Sequence, residues 1–360
     1  MMLNQVYGTP PGIHGQTQDS IPMPDKPITI GIVSPCSVTP GVELSLGVDR
    51  LIESGFDVRV HPQCAKQHFW FAGEDTERAG ALFEFANDPD IDVIWSGRGG
   101  SGGPRLLPIL DELTAKHGKP PKKLLAGYSD VTALHQYVHS RWGWSTLHAS
   151  MPASDFYDIS DAHYDAMLKW VRKETIQMPW RDSSLVFLTT PPPAPITGTL
   201  VGGNLAVWNY LSGTPWQLRD MAGKLLFFED LSEGYYRIDS MFNQIEQAGG
   251  LDGIAGVVLG SFQACDDDVS RVLKNKPSPA DIRAALKDKS KRETVPLRPS
   301  YREREALVKI FARRGEARGF PVAYKLPVGH GPAYAPLPLN AEYTLTPDGG
   351  FELVKWDWLG

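Results

Sequence analysis

Three side chains in this sequence are of the types that together break an acyl bond, and each stands where the local pattern leaves it open to a reactant. Ser129, in Leu125-Ala-Gly-Tyr-Ser-Asp-Val-Thr-Ala-Leu134, separates an apolar run from a segment able to wind into a helix. A strand, a sharp turn and a helix start would lift its hydroxyl clear of a sheet's carboxyl edge. There the Asp130 N–H and the helix dipole would favour a developing oxyanion. The same position suits a simple N-cap, and the second glycine of GxSxG is missing, so this stretch alone reads both ways.

A serine nucleophile needs a base within hydrogen-bond reach and a group that orients that base. Glu229, in LLFFED, follows four apolar residues at a strand end, badly placed for a core and well placed for a cleft. A solvated strand-end glutamate would look the same. His330, in KLPVGHGP, lies between Gly329 and Gly331, where proline and glycine hold the backbone and leave the ring free.

Other patterns point to less. In Ser96-Gly-Arg-Gly-Gly-Ser-Gly-Gly-Pro104, Gly97, Gly99 and Gly102 satisfy GxGxxG. The loop comes late rather than after the first strand, however, and the basic KHGKPPKK stands where a ribose-binding acid belongs. What the loop offers is backbone that a ligand can approach, with N–H groups free to face an anion. His135 and His139 have the spacing of HExxH, but Gln136 replaces the general base, so they read as packed or surface histidines. The run Cys265-Asp-Asp-Asp268 reads as a solvated turn, because three adjacent carboxylates repel.

These residues need elements to position them. Ile28–Val33 reads as a buried strand, Val42–Ser54 as a helix, with Leu44, Val48, Leu51 and Ile52 on one face, and Phe56–Val60 as the next strand. Helices at Thr76–Asn87, Leu106–Leu113 and Val131–Arg141 alternate with strands at Asp92–Trp95 and Leu124–Ala126. This alternation predicts an α/β fold with a doubly wound parallel sheet over residues 28–178. Residues 1–27 read as a flexible lead-in and 179–195, with three consecutive prolines, as a linker. A smaller mixed domain fills 196–360, with strands at Ile196–Asn204, Leu225–Phe228 and Ile254–Leu259 and a helix at Ser240–Ala248. A basic insertion at about 270–319 interrupts it and reads as solvated and partly helical near Arg304–Arg314.

The 360 residues, 42% hydrophobic and 22% charged, have room for two globular domains. A net charge of −6 gives no general attraction to nucleic acid or to anionic membranes. The three cysteines show neither disulfide nor zinc spacing, which fits a reducing compartment, and no apolar run reaches membrane-spanning length.

The ordered motifs ITIGIVSPCS, FAGEDTERAGAL, GRGGSGGPRLLPILD, GYSDVTALH, GTLVGGNLAVWNYLSGTPW, LFFEDLSEGYYRID, GVVLGSF and LPVGH resemble the LD-carboxypeptidase family of serine peptidases, from about Ile28 to the C-terminus. The family includes murein tetrapeptide carboxypeptidases and microcin C immunity amidases. The resemblance implies Ser129 as nucleophile, Glu229 as orienting carboxylate and His330 as general base, with the backbone N–H groups of Gly100 and Asp130 as oxyanion hole. It further implies a flavodoxin-like N-terminal domain, a swivelling β-rich C-terminal domain, a homodimer and neither metal nor organic cofactor; a cytoplasmic setting is expected from the cysteine pattern.

The substrate implied is a murein tetrapeptide losing its terminal D-Ala in cell-wall recycling; by its place in the sequence beside the glycine loop, and not by the resemblance, Arg98 is the guanidinium expected to hold the free carboxylate. Ser101 stands where murein-cleaving relatives commonly carry an aromatic residue, and the basic insertion is long. Both departures bear on substrate rather than on reaction type. An amidase for a peptidyl or aminoacyl nucleotide and a catalytically idle binder of cell-wall fragments are the alternatives.

Overall fold

The computed structural model describes residues 27–156, 159–174, 178–180, 184–265, 303–330 and 335–360. The lead-in to Lys26, the three aspartates after Cys265 and most of the basic insertion lie outside these residues.

The chain runs β1 (Thr29–Val33), α1 (Gly41–Glu53), β2 (Asp57–Val60), α2 (Asp75–Asn87), β3 (Val93–Ser96), α3 (Leu107–His117), β4 (Leu124–Gly127), α4 (Thr132–Tyr137), β5 (Ser145–His148) and α5 (Asp161–Val171). The order β2-β1-β3-β4-β5, all parallel, is the doubly wound sheet expected from the alternation, in the flavodoxin-like order that the family resemblance implies. Its central strands are apolar runs without alternation because helices cover both faces; every residue of β1, β3 and β4 is buried.

The remainder follows as β6 (Val186–Phe187), β7 (Ile196–Asn204), α6 (Leu205–Tyr210), β8 (Leu225–Leu231), α7 (Tyr235–Gln247), β9 (Gly256–Gln263), β10 (Val322–Tyr324), β11 (Leu337–Leu339), β12 (Ala341–Leu345) and β13 (Phe351–Lys355). Between β9 and β10, residues Glu303–Arg318 are helical with a π-helical segment at Val308–Ala312. A mixed sheet of seven strands runs β13-β12-β7-β8-β9-β10-β6, parallel through β7 to β10 and antiparallel outside.

Three details depart from the local pattern. The proline-rich stretch after Pro179 carries β6, which pairs with β10 and so edges the second sheet. β11, late in the chain, pairs antiparallel with β5 and edges the first sheet. The helix expected at Ser240–Ala248 begins at Tyr235, after Gly234 as its N-cap. Among the described residues no helix is long and apolar enough to cross a membrane.

Packing fixes the carboxyl edge of the first sheet. Behind α4, Tyr137, Trp142 and Trp144 are almost wholly buried, with ring centroids 5.4 Å and 5.1 Å apart in turn. Each such side chain contributes roughly 1.5–3 kcal/mol by leaving water, so the segment following Ser129 is firmly seated.

Candidate active site

Ser129 follows β4 by two residues and has φ +62, left-handed backbone that is uncommon for a residue with a Cβ. The expected helix start is a 3₁₀ turn over Ser129–Val131 that passes into α4, and residues 138–142 continue as π-helix. Ser129 therefore stands half-buried on a strained strand-to-helix turn, as the first residue inside it, with Tyr128 rather than Ser129 at the N-cap position. Of the two readings of LAGYSDVTAL, the geometry favours presentation over capping.

The glycine loop after β3 lies against this turn. A Cβ built on Gly99 would stand 3.0 Å from Ser129 Cβ and 3.3 Å from its Oγ. Gly100 has φ +105, and a Cβ there would overlap the Ser37 side chain. The loop is tied down by the Ser37 N–H to Gly99 O (3.1 Å), by the Ser101 N–H to Ser37 Oγ (3.0 Å) and by the Gly103 N–H to the Asp130 carboxylate (2.6 Å). The Asp130 side chain thus joins the loop to the serine turn, while its own N–H belongs to that turn. Burial pushes the Asp130 carboxyl up, and the Gly103 N–H, Cys36 and Arg78 oppose this.

Arg78 completes the anchoring, and sequence reading missed it. Its guanidinium is fully buried and donates to the carbonyls of Pro35, Gly73 (3.3 Å) and Gly102 (3.1 Å) and to Asp75. A charge on an otherwise apolar helix face was its only signal. Arg98 donates through Nη1 to Val38 O (3.0 Å) and is half-exposed, and Ser101 is exposed.

Glu229 comes from β8, at the point where its register with β9 shifts between Phe228 and Asp230. Such an irregularity re-aims a side chain. Glu229 is wholly buried, and its Oε2 accepts from His330 Nδ1 at 2.7 Å and from the His330 backbone N–H at 3.1 Å. Gly329 permits this approach: it has φ +122, and a Cβ there would lie 2.8 Å from Glu229 Oε2. Burial pushes the Glu229 carboxyl up, but the facing His330 and then His148 outweigh it, holding the group well below the usual carboxylate range.

For His330 the balance is opposite in sign. Burial disfavours the charged ring, yet the Glu229 carboxylate, with Asp155 and Asp230 beyond it, raises its pKa above the ordinary histidine value. The ring lies 4.7 Å from that of Tyr128, centroid to centroid. Glu229 and His330 are thus in direct contact, and Ser129 is one residue from the ring that packs on His330. Among the described residues no hydrogen bond joins the Ser129 hydroxyl to His330. Apo serine–base contacts are often loose.

Asp230 points to the other side of β8, accepting from Asn204 Nδ2 (3.0 Å), the Ala206 N–H (3.0 Å) and the Leu231 N–H (2.8 Å). Burial, then the neighbouring Glu229 charge, pushes it up to about 6. The Asn204 N–H in turn donates to Thr132 Oγ1 (3.0 Å), which links the second sheet to the serine turn. Asp155 is also buried, accepts from Ser154 Oγ (2.7 Å) and from Tyr128, and faces His330.

Of the HExxH-like pair, His135 is buried and His139 Nδ1 lies 3.3 Å from Trp144 O. Among the described residues no three His, Cys, Asp or Glu side chains stand together as a metal site.

Residues 30–149 match the LD-carboxypeptidase N-terminal domain and residues 197–345 the LD-carboxypeptidase C-terminal domain. The chain is 34% identical over 244 residues to the "Probable murein peptide carboxypeptidase" of Bacillus subtilis (strain 168), covering 67% of this chain and 74% of that one. Among solved structures, the muramoyltetrapeptide carboxypeptidase from Oxalobacter formigenes superposes with a TM-score of 0.62 at 26% identity, over 91% of this chain and 98% of that one. The microcin C7 self-immunity protein MccF in complex with aspartyl sulfamoyl adenosine shares the fold, with a TM-score of 0.70 at 20% identity over 92% and 97% of the two chains. The two domain matches, in sequence order and on the two sheets that meet at Ser129, Glu229 and His330, place this chain in the LD-carboxypeptidase family.

Proposed function

We propose that the chain is a serine carboxypeptidase that hydrolyses an L,D-amide bond and releases the terminal D-Ala of a murein tetrapeptide. The observation that carries this reading is the buried Glu229 carboxylate 2.7 Å from His330 Nδ1, beside the strained turn of Ser129. The names of the relatives support the substrate.

With Nδ1–H donated to Glu229, the imidazole keeps a free electron pair on Nε2. His330 Nε2 takes the Ser129 proton as Oγ attacks the scissile carbonyl. The N–H groups of Gly100 and Asp130 hold the oxyanion, each worth roughly 3 kcal/mol of barrier. The imidazolium, stabilised by Glu229, then protonates the leaving D-Ala amine, and water attacks the acyl-serine with His330 again as base. Arg98, anchored through one arm on Val38 O, offers its guanidinium to the substrate's terminal carboxylate.

Incubation of the protein with a murein tetrapeptide and, separately, with aspartyl sulfamoyl adenosine tests the substrate. D-Ala release from the first supports the reading. Turnover of the second alone would assign an amidase of the self-immunity kind, and turnover of neither would overturn the proposal.

A further inference from the structure

The catalytic pair leaves one oxygen unexplained. Glu229 Oε2 has two donors, but Oε1, equally buried, has no hydrogen-bond partner among the described residues. A buried carboxylate oxygen without a donor costs about 1–3 kcal/mol or more. A donor side chain faces that oxygen: His148, at the carboxyl end of β5, has its Nε2 3.9 Å away. This nitrogen is also buried and also without a partner among the described residues.

The His148 ring is wedged between Tyr128 and Phe227, at centroid distances of 5.3 Å and 5.5 Å, and its backbone position is fixed by pairing with Gly127 and Leu337. Its position is therefore set by both sheets. The 3.9 Å gap exceeds a charge-assisted hydrogen bond by about 1 Å. A small cavity lined by Tyr128, His148, Ser150 and Gly329 adjoins the ring.

We propose that His148 is a positioning residue that donates its Nε2 proton to Oε1 of Glu229, so that the carboxylate is held at one oxygen by His330 and at the other by His148. The inference rests on the reading of Glu229 and His330 as orienting carboxylate and base. Held at both oxygens, the carboxylate cannot rotate about its last bond, and the His330 ring stays aimed at Ser129. The facing ionisable groups are Glu229 and Tyr128, with His135 behind; burial, then His148, pushes His135 down to about 3, so it adds no charge at neutral pH.

The first test needs no variant. In the protein labelled with ¹⁵N-histidine, the imidazole nitrogens of His148 report its tautomer at neutral pH. A protonated Nε2 is expected, and a bare Nε2 overturns the proposal. The second compares His148→Phe, which keeps an aromatic ring between Tyr128 and Phe227, with His148→Gln, which keeps an N–H donor. In His148→Phe, kcat should fall roughly 10- to 100-fold with KM little changed, and the low-field proton shared by His330 and Glu229 should be lost. His148→Gln should recover most of both. Equal kcat in both variants, or no loss in folded His148→Phe, overturns it. If the wild type cleaves no amide while His148 carries its proton on Nε2, the catalytic reading of Ser129 fails and the placement of His148 stands.

Discussion

Replacing Glu229 by Gln keeps the side chain's volume and removes its charge, which tests what the carboxylate does for His330. Oε2 accepts the His330 Nδ1–H at 2.7 Å and the His330 N–H at 3.1 Å, and a glutamine carbonyl oxygen can take both. What it cannot do is stabilise the imidazolium that forms as Ser129 loses its proton. Glu229 is 0% exposed, so no solvent screens or replaces that charge. Loss of the corresponding carboxylate in Ser-His-Asp enzymes costs about 10⁴ in kcat, roughly 5.5 kcal/mol at about 1.4 kcal/mol per decade.

The pH profile of the same variant moves in a distinguishable direction. For wild-type His330, burial lowers the pKa and the Glu229 charge more than reverses it. The acid limb of kcat/KM therefore lies above about pH 6.5, because the base must be neutral to act. Without the charge only the opposing burial and the more distant Asp155 and Asp230 remain, so the limb shifts to lower pH while the plateau falls about 10³- to 10⁴-fold. Steady-state kinetics on the tetrapeptide across about pH 4 to pH 9 reads both effects. A Glu229→Gln enzyme within tenfold of wild type, or one whose acid limb moved upward, would refute the orientation and charge-stabilisation role.

Three other perturbations probe the supporting elements. Gly100→Ala places a Cβ into Ser37 at φ +105, so the loop must move, and kcat should fall about 10²- to 10³-fold with KM less affected. Arg98→Lys should raise KM for a peptide acid and leave a C-terminally amidated substrate little changed; equal effects on both would remove Arg98 from substrate binding. Arg78→Met strips donors from three carbonyls and one of two arginine partners from Asp75, which keeps Arg105, and should lower unfolding free energy by about 3–5 kcal/mol in urea titration. A change under about 1 kcal/mol would mean that water replaces the guanidinium.

Much of the first sheet was legible because its strands are continuous apolar runs separated by amphipathic helices, a pattern that depends only on near neighbours. β5 was not: Ser145-Thr-Leu-His148 is four residues long, opens on two polar side chains and follows a π-helical turn rather than a clean helix end. His148 went unnoticed with it, although a histidine closing a strand beside the LAGYS strand was a readable signal. β6 and β11 hold their places through partners more than 100 residues away, which no local periodicity reports.

For the site, the motif order carried Ser129, Glu229 and His330, while chemistry at each position alone left them ambiguous. Tyr128 and Asp155 gave no warning, since an aromatic residue before a turn and an aspartate in a loop are common. Their role near His330 arises only from the way the two sheets meet.

The nucleophile itself is tested by mass-spectrometric measurement of D-Ala released from a murein tetrapeptide by the wild type and by folded Ser129→Ala. The geometry of the turn, the base and the glycine loop predicts steady release by the wild type and a fall of about 10⁵- to 10⁶-fold in the variant. Release by Ser129→Ala within tenfold of wild type would contradict the assignment of Ser129.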